Sequence, residues 1–331
     1  MPSKTIFGIS CTENATTNLT SALSGPRCCV FDSTGNLWIT NYTTGTLQVL
    51  PVSSGTIFGV SVTANTLKTI TTLPTSGPWG MAFDGTGNLY ISDFGHSTLK
   101  VLPVSSGTIF GASVTANTVA TLFTGAPLSS PSALAVDAAN NVYVANSGGS
   151  NIVAIPKFTG TLFGTSVTAN TPIALSKTSA LSQPRGITFD ALGNLYYSDF
   201  GNTGIYVLRA VTGTTTIFGK SGTQNTQQEL FSGLTQGPRG IHFDSAGNLY
   251  FAGATGNDAS VCAVATGELL GVATTANSVS NLVTSGLSGP SDVALSPEAD
   301  LFIVDFTSSN LIVVAATAAP SGSNSGFLEF C

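Results

Sequence analysis

Charge is scarce in this sequence: 10 Lys and Arg and 16 Asp and Glu among 331 residues, 8% in all, with a formal net charge of −6. Soluble domains ordinarily carry roughly 25%. So few cations cannot displace counterions along a phosphate backbone, which excludes a nucleic-acid partner. No apolar run approaches the roughly 18 residues of a membrane span. Low charge does not mean disorder here, because 42% hydrophobic residues is the opposite of a disordered composition. The start, Met1-Pro2-Ser3-Lys4-Thr5-Ile6-Phe7-Gly8, lacks the apolar core of roughly 7–15 residues that a secretory signal needs.

Reactive side chains are also few. The five cysteines, Cys11, Cys28, Cys29, Cys262 and Cys331, are too few for a disulfide scaffold and have no zinc-ligand spacing. Buried or free thiols are expected, with a terminal staple between Cys11 and Cys331 as the alternative. His96 and His242 are the two histidines. No nucleophile elbow, phosphate loop or HExxH pattern is present.

What the sequence does contain is a repeat. Gly77-Pro78-Trp79-Gly80-Met81-Ala82-Phe83-Asp84, followed by Gly87-Asn88-Leu89-Tyr90, recurs in six forms anchored at Pro26, Pro78, Pro131, Pro184, Pro238 and Pro290, 52 to 54 residues apart. Periods of this size with several short strands predict propeller blades. Asp84-Gly85-Thr86-Gly87-Asn88 supplies the residues of a tight hairpin, and apolar residues on both strand faces suit blades packed face to face. The chain begins with a segment that aligns with the fourth strand of the other units and ends after three strands. Residues 1–320 are therefore predicted to form an all-β, closed six-bladed β-propeller with four strands per blade. The N-terminal strand is expected to complete the last blade near Leu311 to Ala315, which removes two open edges. Residues 321–331 form a tail. Between strands three and four each unit carries an aromatic or Leu270 seven residues before an Asn, as in Phe58 and Asn65. That fixed spacing predicts an extra hairpin whose phenylalanines plug its underside.

The pattern Gly-Pro-x-Gly-φ-x-Phe-Asp-x-x-Gly-Asn-Leu-Tyr-φ-x-Asp, where φ is apolar, resembles the NHL repeat and covers nearly the whole chain. Units three and six depart most, with Ser132-Ala133 and Ser291-Asp292 after the proline. Propellers of this type include lyases, hydrolases and interaction scaffolds, so the resemblance speaks to fold more than function.

Two sets of residues are expected around the opening of the central channel. One residue after each anchor proline stand Arg27, Trp79, Ser132, Arg185, Arg239 and Ser291; fifteen after it stand Asn41, Asp93, Asn146, Asp199, Gly253 and Asp305. Asp93, Asp199, Asp305, Asn41 and Asn146 are candidate oxygen ligands for Ca²⁺ on the axis, with turn capping as the competing role. Asp292 adds a carboxylate. Arg185 has a possible partner in Asp199 of its own blade. Trp79, Arg27, Arg185, Arg239 and His96 are candidate ligand-binding residues: the arginines for an anionic group, and Trp79 with Tyr42, Phe94 and Phe200 for a sugar. Asp32, Asp84, Asp137, Asp190 and Asp244 read as turn formers at the opposite face. The preferred function is a non-enzymatic binding or structural propeller, a surface or virion-like particle component that contacts a protein or glycan. A metal-dependent lyase or lactone hydrolase at Asp93, Asp199, Asp305 and His96 is the alternative.

Overall fold

The computed structural model describes residues 2–73, 77–178, 180–234, 237–253 and 257–317. The tail predicted at 321–331, and Cys331 with it, lies outside the described residues. Six antiparallel four-stranded sheets make up the chain. In blade two the order is Pro78–Phe83, Leu89–Asp93, Thr98–Leu102 and Ala120–Thr124. Each first strand touches the first strands on either side of it, so the ring is closed around an axis. Six apolar clusters fill the seams between blades. The closing seam is made as expected: Thr16–Thr20 adds to the blade of Pro290–Leu295, Leu301–Asp305 and Asn310–Val314, with Thr16 opposite Val314.

The repeat motif is a hydrogen-bonding programme. Asp84 accepts from the backbone N–H of Thr86 and Asn88, both at 2.9 Å, from the Asn88 amide at 2.8 Å and from the Tyr90 hydroxyl at 3.2 Å. The Asn88 side-chain oxygen then accepts from Val104 N at 3.1 Å, tying the hairpin to the end of strand three. Asp32, Asp137, Asp190 and Asp244 repeat this geometry with Trp38, Tyr143, Tyr196 and Tyr250. Blade six has Ser296 and Asp300 instead, and Phe302 replaces the tyrosine. A phenyl ring leaves no buried hydroxyl needing the missing carboxylate. Asp300 instead pairs with Lys4 and accepts from Ala316 N at 2.8 Å.

The insertion between strands three and four is the predicted two-stranded hairpin in all six units, as in Gly55–Ile57 with Val60–Val62. Phe58 and Gly59 have φ of 44° and 77°, the left-handed pair of a type I′ turn. Four of the rings lie against the inner aromatic of their blade, as with Phe58 on Trp38 at 5.6 Å and Phe110 on Tyr90 at 6.0 Å, and Phe218 lies against Phe231 and Phe243. Every hairpin is anchored by its Asn N–H, from Asn65 to Pro51 O at 2.7 Å through to Asn14 to Ala315 O at 2.8 Å. Five of the six turn glycines abut the Asn of the next hairpin: Gly8 at Asn65, Gly59 at Asn117, Gly164 at Asn225, Gly219 at Asn277 and Gly271 at Asn14; a Cβ on Gly111 would meet nothing within 4 Å. The Gly271–Asn14 contact carries this outer belt across the same seam as the inner sheet.

A second ring of bonds surrounds the channel. Strand one bulges after five of the six anchor prolines, Pro26, Pro78, Pro131, Pro184 and Pro290. In blade two the bulged Gly80 N–H donates to Ser92 Oγ at 2.7 Å, and that hydroxyl donates to Ser132 O of the next blade. Thr40 and Ser198 make the same links, to Trp79 O at 2.8 Å and Arg239 O at 2.6 Å. Where strand two offers Ala145 or Val304, Ser132 and Ser291 supply the hydroxyl, reaching Pro184 O at 2.9 Å and Pro26 O at 2.8 Å. Arg239 Nη1 completes the sixth link, to Pro290 O at 2.7 Å. The two irregular repeats thus conserve the function of the motif by another residue.

Candidate functional site

Pairing of Pro26 with Asn41, Pro78 with Asp93, Pro131 with Asn146, Pro184 with Asp199 and Pro290 with Asp305 puts both predicted residue sets at one end of the channel. They do different things there. Asn41, Asn146, Asp199 and Asp305 are buried and face back into their own turns. Each accepts from the backbone N–H seventeen residues earlier: Ser24 at 2.8 Å, Ser129 at 2.6 Å, Ser182 at 2.9 Å and Ser288 at 2.6 Å. Asp199 takes two further bonds from Asn202, and Asp305 two from Thr307 and Ser308. Asp93 accepts from His96 N at 3.2 Å and faces His96 Nδ1 at 3.3 Å and Lys100 Nζ at 3.0 Å. Among the described residues no three His, Cys, Asp or Glu gather in a group that could hold a metal ion. Burial pushes the Asp199 carboxyl above its usual range, and the N–H groups of Ser182 and Asn202 pull it back.

Ser132 and Ser291 are likewise removed from the opening, buried as interblade links. Trp79 and the three arginines are brought together. Arg27 sits over Phe306 at 3.4 Å and over Trp79 at 4.2 Å, with Tyr42 at 5.2 Å. Arg185 lies over Phe200 at 3.9 Å and Trp79 at 5.3 Å; Arg239 reaches Phe200 at 5.5 Å. Phe94 stacks on Trp79 at 4.5 Å, and the Tyr42 edge meets Trp79 at 5.8 Å. Trp79, 8% exposed, is the hub, and the arginines around it are half-buried. The expected pair between Arg185 and Asp199 does not form: among the described residues none of the three arginines makes an ion pair.

Phe306 is the member that motif reading missed. Its signal is positional: Tyr42, Phe94, Phe200 and Phe306 each stand sixteen residues after an anchor proline. These aromatics also explain the glycine before the proline. A Cβ on Gly77 would overlap the Tyr42 ring, and one on Gly25 would lie 2.9 Å from Phe306.

The electrostatics are lopsided. Burial, then repulsion from Arg185 and Arg239, lowers Arg27 to about 10. Burial and then Arg239 lower Arg185 to about 10. Burial lowers Arg239 against the pull of Asp305. The Nε–H of all three is buried without an acceptor. His96 is exposed at the rim beside Asp93. His242 is placed on strand one of blade five, and burial lowers its pKa against the pull of Asp244. Deeper in the channel wall, Asp292 accepts from Cys29 N at 3.1 Å and packs against Gly240, where a Cβ would overlap the carboxylate. Burial raises Asp292 to about 7, opposed by hydrogen bonds from the Cys28 thiol and the Cys29 N–H. Cys11, Cys28, Cys29 and Cys262 are buried free thiols, as expected.

A closed six-bladed β-propeller with an arginine and aromatic mouth is the class of protein that these features define. No protein-family model matches the chain, and no curated protein matches it. Solved structures do. A chain of the nidogen–laminin complex superposes with a TM-score of 0.56 at 20% identity, over 84% of this chain and 88% of that one. A gluconolactonase from Xanthomonas campestris gives 0.61 at 13% identity, over 90% and 88%. Virginiamycin B lyase from Staphylococcus aureus gives 0.56 at 14% identity, over 90% and 97%. At these identities the shared property is the propeller fold.

Proposed function

We propose that this chain is an NHL-like binding propeller without catalytic activity that receives a protein or glycan partner on the mouth face. The observation that carries this reading is the concentration of three guanidiniums and their aromatic supports at one opening of a molecule otherwise poor in charge. Aromatic and Arg side chains are the residues that dominate binding hot spots. Turn capping by Asp199 and Asp305 supports it further, because a carboxylate already accepting two or three backbone or amide N–H bonds has little left for a metal or a proton transfer. The nidogen–laminin neighbour shows that a similar fold occurs in a protein complex.

The test pairs glycan and peptide arrays with lactone-hydrolysis and lyase assays, before and after chelation with EDTA. Selective binding that is lost in Trp79→Ala, with no turnover and a thermal midpoint unmoved by chelation, is the expected result. Metal-dependent turnover abolished by Asp199→Asn would overturn the reading in favour of the enzyme.

A further inference from the structure

We propose that Arg27, Arg185 and Arg239 form a binding site for a small dianionic oxyanion, a sulfate or phosphate group, at the channel mouth; this rests on the mouth being the contact face of the propeller. Three of the four arginines in the chain converge here from blades one, four and five. Trp79 lies 4.2 Å from the Arg27 guanidinium carbon and 5.3 Å from that of Arg185, so the two carbons are no farther apart than the sum of these distances. Phe200 bridges Arg185 and Arg239 in the same way, at 3.9 and 5.5 Å.

Among the described residues no carboxylate forms an ion pair with this cluster. Blades that carry Arg27 and Arg239 have Asn41 and Gly253 where blades two, four and six have an aspartate, and Gly253 faces Arg239 Nη1. Asp305, the acid that acts on Arg239, is held by Ser288, Thr307 and Ser308. Packing alone does not call for this arrangement, since three half-buried like charges destabilise the fold and apolar side chains would fill the space without repulsion. The missing counter-charge comes from a ligand. Aromatic rings supporting the guanidiniums leave in-plane Nη–H groups for oxygen acceptors, apart from the Arg239 Nη1 hydrogen that Pro290 O takes, and guanidinium-to-oxyanion pairing is the strong form of this contact. A monocarboxylate neutralises one charge of three. A long polyanion meets repulsion beyond the mouth from a chain of net charge −6. A compact dianion satisfies both limits.

Calorimetric titration of the full chain at fixed ionic strength tests this with sodium sulfate, sodium phosphate, phenyl phosphate and sodium acetate. Sulfate and phosphate are expected to saturate one site at least about tenfold more tightly than acetate. Arg27→Gln, Arg185→Gln and Arg239→Gln should each weaken binding by about tenfold or more. Lys68→Gln, on the exposed outer edge, should leave it unchanged. Phosphate binding should strengthen between about pH 5.5 and 7.5 as the second proton leaves, whereas sulfate binding should not change. Tighter binding of phenyl phosphate than of phosphate identifies an ester as the natural source, and equal or weaker binding identifies the free ion; either supports the site. Absence of saturable binding by both dianions, or equal binding by the Arg variants with unchanged thermal midpoints, overturns it. Partner binding that Trp79→Ala abolishes, in a protein that ignores sulfate and phosphate, would refute this proposal alone. Partner binding indifferent to Trp79→Ala would refute the mouth as contact face.

Discussion

Asp292→Asn should stabilise the protein in a manner that depends on pH. The carboxyl lies at the seam between blades six and one, where it accepts the Cys29 N–H and the Cys28 thiol proton, and burial raises it from 3.8 to about 7. A shift of that size corresponds to about 4 kcal/mol between the two protonation states. Because the folded value is the higher one, the fold favours the neutral acid. The stabilising contribution is fully present below the unfolded value of 3.8 and is lost as pH rises through the folded value of about 7. Cys28 and Cys29 have thiols pushed well above their ordinary range by burial and then by Asp292, so they remain protonated across this window. An amide in place of the carboxyl keeps an acceptor for Cys29 N–H and never ionises. For 331 residues the unfolding entropy is about 0.7 kcal/mol/K, so about 4 kcal/mol is worth about 6 °C in midpoint. Thermal scans of wild type and variant from about pH 4 to pH 8 should show midpoints that coincide at the acid end and diverge to that gap at the alkaline end. A gap independent of pH, or a wild type that gains on the variant as pH rises, would refute the reasoning.

Two further comparisons probe the repeat. Asp84→Ala removes the acceptor of five hydrogen bonds and strands the buried Tyr90 hydroxyl. A loss of about 3 kcal/mol in urea unfolding is expected, and adding Tyr90→Phe should cost less on that background than in the wild type. Gly271→Ala and Gly111→Ala share a left-handed backbone, with φ of 78° and 82°, but the added Cβ lies 2.8 Å from Asn14 Cβ in the first and meets nothing within 4 Å in the second. Both should destabilise, and the first by about 1–2 kcal/mol more; equal losses in thermal unfolding would remove the belt from the account of closure.

The blades were legible because each depends on local chemistry that recurs, in whole or in part, in all six units. Gly-Pro starts, Asp-x-x-Gly-Asn turns and fixed-distance Phe and Asn positions are written within one unit, and the structure uses them as the spacing implied. Interblade features are harder to read. Nothing in Ser132-Ala133 or Ser291-Asp292 alone says that a hydroxyl there substitutes for the one absent at Ala145 or Val304. That exchange is visible once neighbouring first strands are known to touch. Phe306 was overlooked for the same reason: its partner Arg27 is in the next blade around the ring, at the other end of the sequence.

The mouth follows from the same distinction between local and ring-level requirements. Within a blade, the residue after the anchor proline is free to vary, since its backbone already completes the bulge and the link to the neighbouring blade. Ser132 and Ser291 use their side chains for the ring. Arg239 uses one guanidinium nitrogen for it and keeps the rest of the fork available. Arg27 and Arg185 contribute no hydrogen bond to the ring among the described residues, and a glycine or serine there would leave closure intact. Their cost to the fold is visible in the lowered pKa values. On the proposed reading, positions that burden stability without serving the architecture are where partner contacts are made, and Arg27 and Arg185 share one opening around Trp79.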